Sequence, residues 1–252
     1  MNTRARHRLF VPDDLKSDAD LIVSHDQAHY LLQVLRLGAG DKVRLFNGRD
    51  GEWLAEITEA GRKQAVLTPR EQTRAQDKAP DLMLIFAPIK KARIDYLAEK
   101  AAELGVGILQ PVITAHTQMT RVNTSRMRAN TIEAVEQTGR TTLVDVREPI
   151  PLERLLDEWP GMRHIIFCDE SSAGIPGHAM AEKVAGLKGA AAIVIGPEGG
   201  FSPVERARLS AMPGAVAVSL GQNVLRADTA MVAALAIWQA VAGEWKGNQH
   251  GA

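Results

Sequence analysis

Beyond residue 80 this chain carries a series of almost uninterrupted apolar runs, and they restrict its fold more than any other feature. They are DLMLIFAP (Asp81–Pro88), VGILQPVI (Val106–Ile113), HIIFCD (His164–Asp169), AAAIVI (Ala190–Ile195) and AVAVSL (Ala215–Leu220). A strand with one wet face alternates apolar and polar residues, whereas a strand covered on both faces need not. Helical patterns separate the runs. Ile94, Leu97, Ala98, Ala101 and Leu104 recur at helical spacing before a stop at Gly105, 123–139 reads as a second helix, and another follows Asn223. Buried strands alternating with helices predict an α/β domain built on a mostly parallel sheet.

The first part of the chain has a different grammar. KVRLF (Lys42–Phe46), an Asn47-Gly48 turn and EWLAEI (Glu52–Ile57) predict a β-hairpin, and AVLTP (Ala65–Pro69) a third strand. Ser24 and Gln27 form a capping box for a short helix expected to carry His29, Leu32 and Leu35 toward a core. REQTRAQDKAP (Arg70–Pro80) is polar, lacks apolar periodicity and ends in Pro, so a domain boundary is expected there. The expected division is a β-rich domain at 1–72, a linker at 73–80, an α/β domain at 81–246 and a tail at 247–252. No internal repeat is visible.

Lys and Arg number 30 against 30 Asp and Glu. That balance excludes a purely electrostatic nucleic-acid binder but not a local basic patch. The single cysteine, Cys168, excludes an internal disulfide and a cysteine-rich metal site, and its apolar surroundings predict a buried thiol in a reducing compartment. The start, MNTRARHRLFV, has basic residues without an apolar signal core, and the apolar stretches are too broken to span a membrane. A soluble cytoplasmic protein is expected.

Two strand-to-helix loops carry the chemical signal. In IGPEGGFSPVE (Ile195–Glu205), Ser202, Pro203 and Glu205 fit N-cap, N1 and N3 of the following helix, which gives Glu205 a capping role. The loop has neither the Lys-Ser/Thr pair of a P-loop nor the three-glycine dinucleotide spacing. Glu198 adds negative charge where a phosphate needs the opposite, so a neutral or cationic ligand fits better. SLGQNVLRADTA (Ser219–Ala230) repeats the plan after the next buried strand. If the two loops are neighbours, Gly196, Gly199, Gly200 and Gly221 let backbone groups approach a flat ligand, and Leu220 and Leu225 supply apolar walls.

With RHRLFV (Arg6–Val11), HYLLQVLRLGAGDKVRLFNGRDGEW (His29–Trp53), KKARIDYLAEKAAELGV (Lys90–Val106) and EAVEQTGR (Glu133–Arg140), these loops resemble SPOUT-class methyltransferases. More closely, the chain resembles the bacterial small-subunit (16S) ribosomal RNA (uracil-N3)-methyltransferase family over nearly its whole length. The resemblance implies a PUA-like RNA-binding β-barrel, then an α/β domain tied in a deep trefoil knot, acting as a homodimer on small-subunit ribosomal RNA. It implies S-adenosyl-L-methionine as cofactor, held by Ile195, Gly196, Pro197, Glu198, Gly199, Gly200, Leu220, Gly221, Asn223 and Leu225, with the end of the Ile165–Asp169 strand nearby. Glu198 either faces the sulfonium charge or ties down its loop. Two departures from the family stand out: Met127 where an aromatic is expected, and Asp228 where Glu is frequent.

Methylation at uridine N3 removes a proton and develops negative charge over N3 and its carbonyls. Arg226 is the expected stabiliser of that charge, and Asp228 the expected base or orienting group. No metal is expected. RNA contacts are expected from Arg6 and Arg8 near the start, His29 and Arg36, the Lys90, Lys91 and Arg93 cluster at a helix start, and Arg126 and Arg140. His29 serves equally as helix packing. The alternatives are a SPOUT-class enzyme acting on transfer RNA or a ribose 2′-OH, and a non-catalytic ribosome-assembly protein.

Overall fold

The computed structural model describes residue 5 and residues 7–61, 64–89, 91–119, 121–159 and 161–245, with backbone alone at 91 and 92. The chain divides into two compact units. The first holds residues up to 79 together with Val135–Leu143, and the second holds Pro80–Ala134 and the residues from 144 on.

The first unit contains β1 (Arg8–Phe10), β2 (Leu21–Ile22), α1 (His25–His29), a π-helical turn (Tyr30–Val34), β3 (Lys42–Phe46), β4 (Glu52–Ala60) and β5 (Ala65–Arg74). They form a sheet in the order β1-β3-β4-β5-β2. The β3/β4 hairpin pairs antiparallel from Lys42 opposite Glu56 to Phe46 opposite Glu52. Its turn is organised by the buried Asn47 side chain. Oδ1 accepts the N–H groups of Arg49 and Asp50, Nδ2 donates to the Asp13 carbonyl, and Gly48 takes φ +82°. Val43, Leu45, Ile57 and Leu67 fill the core. Strand β5 runs to Arg74, well into the polar stretch, and all of Arg70–Arg74 is exposed. Solvent on both faces explains why the sequence shows no alternation there.

The Ser24/Gln27 capping box is present. Leu32 and Leu35 pack, partly buried, against the core as expected, beside the fully buried Ala28 and Leu31, whereas the expected packing of His29 is corrected: it is exposed. The switch from α to π at Tyr30 widens the turn and rotates the apolar face off the 3.6-residue register.

The second unit contains β6 (Leu82–Phe86), α2 (Lys91–Glu103), β7 (Ile108–Ile113), α3 (Thr124–Thr138, whose end belongs to the first unit), β8 (Asp145–Val146), β9 (Ile150–Pro151) and α4 (Leu152–Asp157). It continues with β10 (His164–Cys168), α5 (Met180–Val184), β11 (Ala191–Ile195), α6 (Pro203–Ala211), β12 (Ala215–Val218) and α7 (Ala227–Val241). The sheet runs β12-β10-β11-β6-β7-β8, with every pair in that row parallel. Every residue of β6 and β11 is buried, as their unbroken apolar runs require. Met127 is 1% exposed in α3, so the departure from the family pattern lies in packing. Among the described residues no helix is long and apolar enough to cross a membrane.

Candidate functional site

Strands β11 and β12 are not neighbours, because β10 lies between them. Their following loops nevertheless meet over the carboxyl end of β10 and enclose a cavity of about 230 Å³. Its floor is Cys168, Asp169 and Glu170 at the end of β10. One wall is Ile195, Gly196, Pro197, Glu198, Gly200 and Phe201, and the other is Leu220, Gly221, Asn223, Val224, Leu225 and Arg226. The two flanking loops thus share a crevice at the end of the strand between them.

Local chemistry holds each wall in shape. Gly200 sits at φ +66°, and a side chain there would run into the Glu170 carboxylate. A Cβ on Gly196 would come within 3.1 Å of the Phe201 ring. Ser202 caps α6 by accepting the Glu205 N–H, and Glu205 answers by accepting the Ser202 N–H at 2.9 Å. Glu205 also accepts the N–H of Ala115 at 2.8 Å, a contact beyond its capping role. His116 Nδ1 lies 3.0 Å and 3.1 Å from the Gly199 and Gly200 carbonyl oxygens, which only accept, so that nitrogen carries the proton and donates to both.

The opposite wall is pinned to the segment after β10. The Ser219 N–H donates to the His178 carbonyl at 2.7 Å, Met180 N–H returns a bond to Ser219 O at 3.0 Å, and Gly174 N–H donates to Gly221 O at 3.2 Å. On the floor, Asp169 is 7% exposed, accepts both the N–H and the hydroxyl of Ser171, and lies 3.2 Å from Arg206 Nε. Burial pushes the Cys168 thiol up to about 12, so it contributes as a neutral apolar group.

Of the residues expected to hold a cofactor, Gly199 does not line this cavity. It turns toward His116, while Ile195, Gly196, Pro197, Glu198, Gly200, Leu220, Gly221, Asn223 and Leu225 all face the space. Arg226 lines it as the N-cap of α7. The floor carboxylates Asp169 and Glu170 were legible only as the end of a strand. An apolar interior, backbone groups brought close by glycines and a carboxylate-rich floor and rim suit a flat ligand bearing positive charge. Among the described residues no group of three or more His, Cys, Asp or Glu is placed to hold a metal ion.

The expected RNA contacts separate. Arg8 turns inward: Nε donates to Glu52, Nη1 to the Val135 and Glu136 carbonyls and Nη2 to the Arg140 carbonyl, with the guanidinium over the Phe46 ring. It secures its own unit, because the helix C-terminus it caps offers carbonyls in need of donors. Arg126 is engaged by both oxygens of Asp95 at 2.8 and 2.7 Å. Arg140 donates to the Thr142 hydroxyl. His29 and Arg36 are exposed, Arg36 at φ +56°. Arg93 approaches two carboxylates, Glu198 and Asp228. Arg6, Lys90 and the Lys91 side chain lie outside the described residues.

Comparison with known proteins agrees with this architecture. Residues 76–239 match the RNA methyltransferase domain family, and residues 23–70 match the RNA methyltransferase PUA domain. A ribosomal RNA small subunit methyltransferase E of Rickettsia conorii is 30% identical over 91% of this chain and 93% of its own. The enzyme of the same name from Synechocystis is 28% identical over 91% of this chain and 76% of its own. A Legionella pneumophila protein solved in complex with the cofactor SAM superimposes with a TM-score of 0.83 at 27% identity, covering 95% of this chain and 99% of that one. A ribosomal RNA small subunit methyltransferase E from Neisseria gonorrhoeae, bound to S-adenosyl methionine, gives 0.81 at 26% identity with the same coverage. The second unit is accordingly a SPOUT-type knotted α/β domain, preceded by a small PUA-like β domain. The chain belongs to the ribosomal RNA small subunit methyltransferase E family.

Proposed function

We propose that this protein transfers a methyl group from S-adenosylmethionine to N3 of a uridine in small-subunit ribosomal RNA. The observation that carries the reading is the cavity at the end of β10, closed by the two glycine-bearing loops and bordered by Arg226. Its residues fit the cofactor: Leu220, Leu225 and Phe201 offer apolar surface, the glycines admit close backbone contact, and the Glu170 and Glu198 carboxylates suit a cationic centre. The cofactor supplies an activated methyl group on a positively charged sulfur. In this reading Arg226 donates to a uracil carbonyl oxygen as negative charge spreads from N3, and Asp228, in the first turn of α7, accepts or orients the departing N3 proton.

In this reading the β-rich unit contributes RNA binding through His29 and Arg36, and the α/β unit performs the transfer in a reducing cytoplasm. A homodimer is supported by α7, where Val232, Ala233, Ala236 and Ile237 remain only partly covered while the opposite side is buried. Mixing purified protein, S-adenosylmethionine and unmodified small subunits, followed by mass mapping of the nucleosides, tests the function. One methyl on the base nitrogen of a single uridine is expected. A ribose methyl, or none, overturns it.

A further inference from the structure

We propose that Arg93 is a positioning residue for methyl transfer, orienting Asp228, which follows the cavity-lining Arg226 and Ala227, and joining it to Glu198 on the cavity wall. The inference rests on the reading of the cavity as the site of transfer. It departs from the expectation that Arg93 belongs to an RNA-binding patch.

Arg93 lies in the first turn of α2 and Asp228 in the first turn of α7, and these two helices pack together. Its Nε is 3.7 Å from Asp228 Oδ2, and its Nη1 is 3.9 Å from Glu198 Oε1. One cation therefore reaches carboxylates on two separate elements, α7 and the loop after β11. At these lengths the link is an ion pair, not a hydrogen bond, so charge matters more than the geometry of the donor fork. The Arg93 and Asp228 side chains are 29% and 20% exposed, which leaves the attraction less screened than between fully exposed groups.

Without Arg93, Glu198 on the cavity wall and Asp228 on α7 lose the cation that both approach. The other oxygen of Asp228 accepts a local bond, from the Thr229 N–H at 3.1 Å. A helix N-terminus favours a negative side chain there but does not choose its direction. Arg93 supplies the direction.

The test compares wild type with R93Q, R93K, D228N and the R93Q/D228N double variant. Three readouts are needed: affinity for S-adenosylmethionine and for small subunits across salt concentrations, single-turnover methyl transfer at saturation, and unfolding of the ligand-free protein. R93Q is expected to slow saturated transfer by about tenfold or more while both affinities stay within about threefold. R93K should recover most of the rate. The double variant should be no slower than D228N, and the two substitutions should be non-additive in unfolding. Multiplicative rate losses with additive unfolding overturn the proposal. So does an R93Q protein with a normal saturated rate and a shallower salt dependence of RNA binding, which marks a phosphate contact. A wild type that transfers no methyl defeats the proposed function instead, and the ligand-free cycle still decides whether Arg93 and Asp228 are coupled.

Discussion

Glu205 and Ala115 are joined by a hydrogen bond of 2.8 Å from the Ala115 N–H to one carboxylate oxygen, while the other oxygen accepts the Ser202 N–H. A single buried carboxylate thus caps α6 and clamps the loop after β7 to the loop that walls the cavity. Glu205→Ala removes an acceptor from two backbone donors at once. A loss of about 2–4 kcal/mol in denaturant unfolding is expected, with weaker cofactor binding. Glu205→Gln keeps one acceptor but points an amide N–H at a donor, so it should fall between. A Gln variant as stable as wild type shows that the clamp contributes nothing.

Arg226 is the N-cap of α7, where its backbone rather than its side chain meets the helix. Arg226→Ala should therefore fold normally and bind S-adenosylmethionine within about threefold of wild type. Its single-turnover methyl transfer should drop by about a hundredfold, the usual scale for losing one charge-stabilising donor. Near-normal transfer in a rapid-quench measurement removes Arg226 from the chemistry.

Glu52 predicts an acid response of the first unit. Burial acts to raise its carboxyl, but hydrogen bonds and charge from Arg8, hydrogen bonds from Arg44 and Thr73, together hold it below the ordinary range. A depressed folded value means stability that is present above the unfolded pKa and lost as pH falls through the folded one. Arg8→Gln weakens that hold, so the variant should be less stable near pH 7 and lose less further stability on acidification than wild type, the gap between them narrowing toward low pH. Urea unfolding monitored from about pH 7 to about pH 3 checks this, and superimposable pH curves would count against it.

Gly200 combines φ +66° with a site where any Cβ meets the Glu170 carboxylate. Gly200→Ala should cost about 1–2 kcal/mol from backbone strain, and it obliges the exposed Glu170 side chain to move aside. Because Gly200 and Glu170 both line the cavity, calorimetry should show cofactor affinity reduced by about tenfold or more. Unchanged affinity would place the ligand elsewhere.

Burial pushes the Cys168 thiol up to about 12, which keeps it neutral at pH 8. Iodoacetamide should label the folded protein slowly and the urea-unfolded protein at the rate of a free thiol. Rapid labelling of the folded form at pH 8 contradicts a thiol held neutral.

Much of the α/β unit was legible because its signals are local. Unbroken apolar runs marked β6, β7, β10, β11 and β12, and Ser-Pro-x-Glu after Phe201 marked the start of α6, since caps and strand burial depend on residues a few positions apart. The two site loops were legible for the same reason. The π-helical turn after His29 was not, because a switch of helical period leaves no pattern distinct from an α-helix.

Sequence by itself determined the parallel sheet, the capped helices and the two glycine-bearing loops whose pairing carries the family resemblance. Tertiary structure alone decided that β10 separates the strands those loops follow, so that Asp169 and Glu170 form the floor between them. It also decided the fate of the arginines. Arg8 meets carbonyls 127 to 132 positions away, and Arg93 meets Glu198 and Asp228 on other elements. A charged side chain finds its partner through space, and the same arginine reads alike in sequence whether that partner is a phosphate, a helix end or a carboxylate.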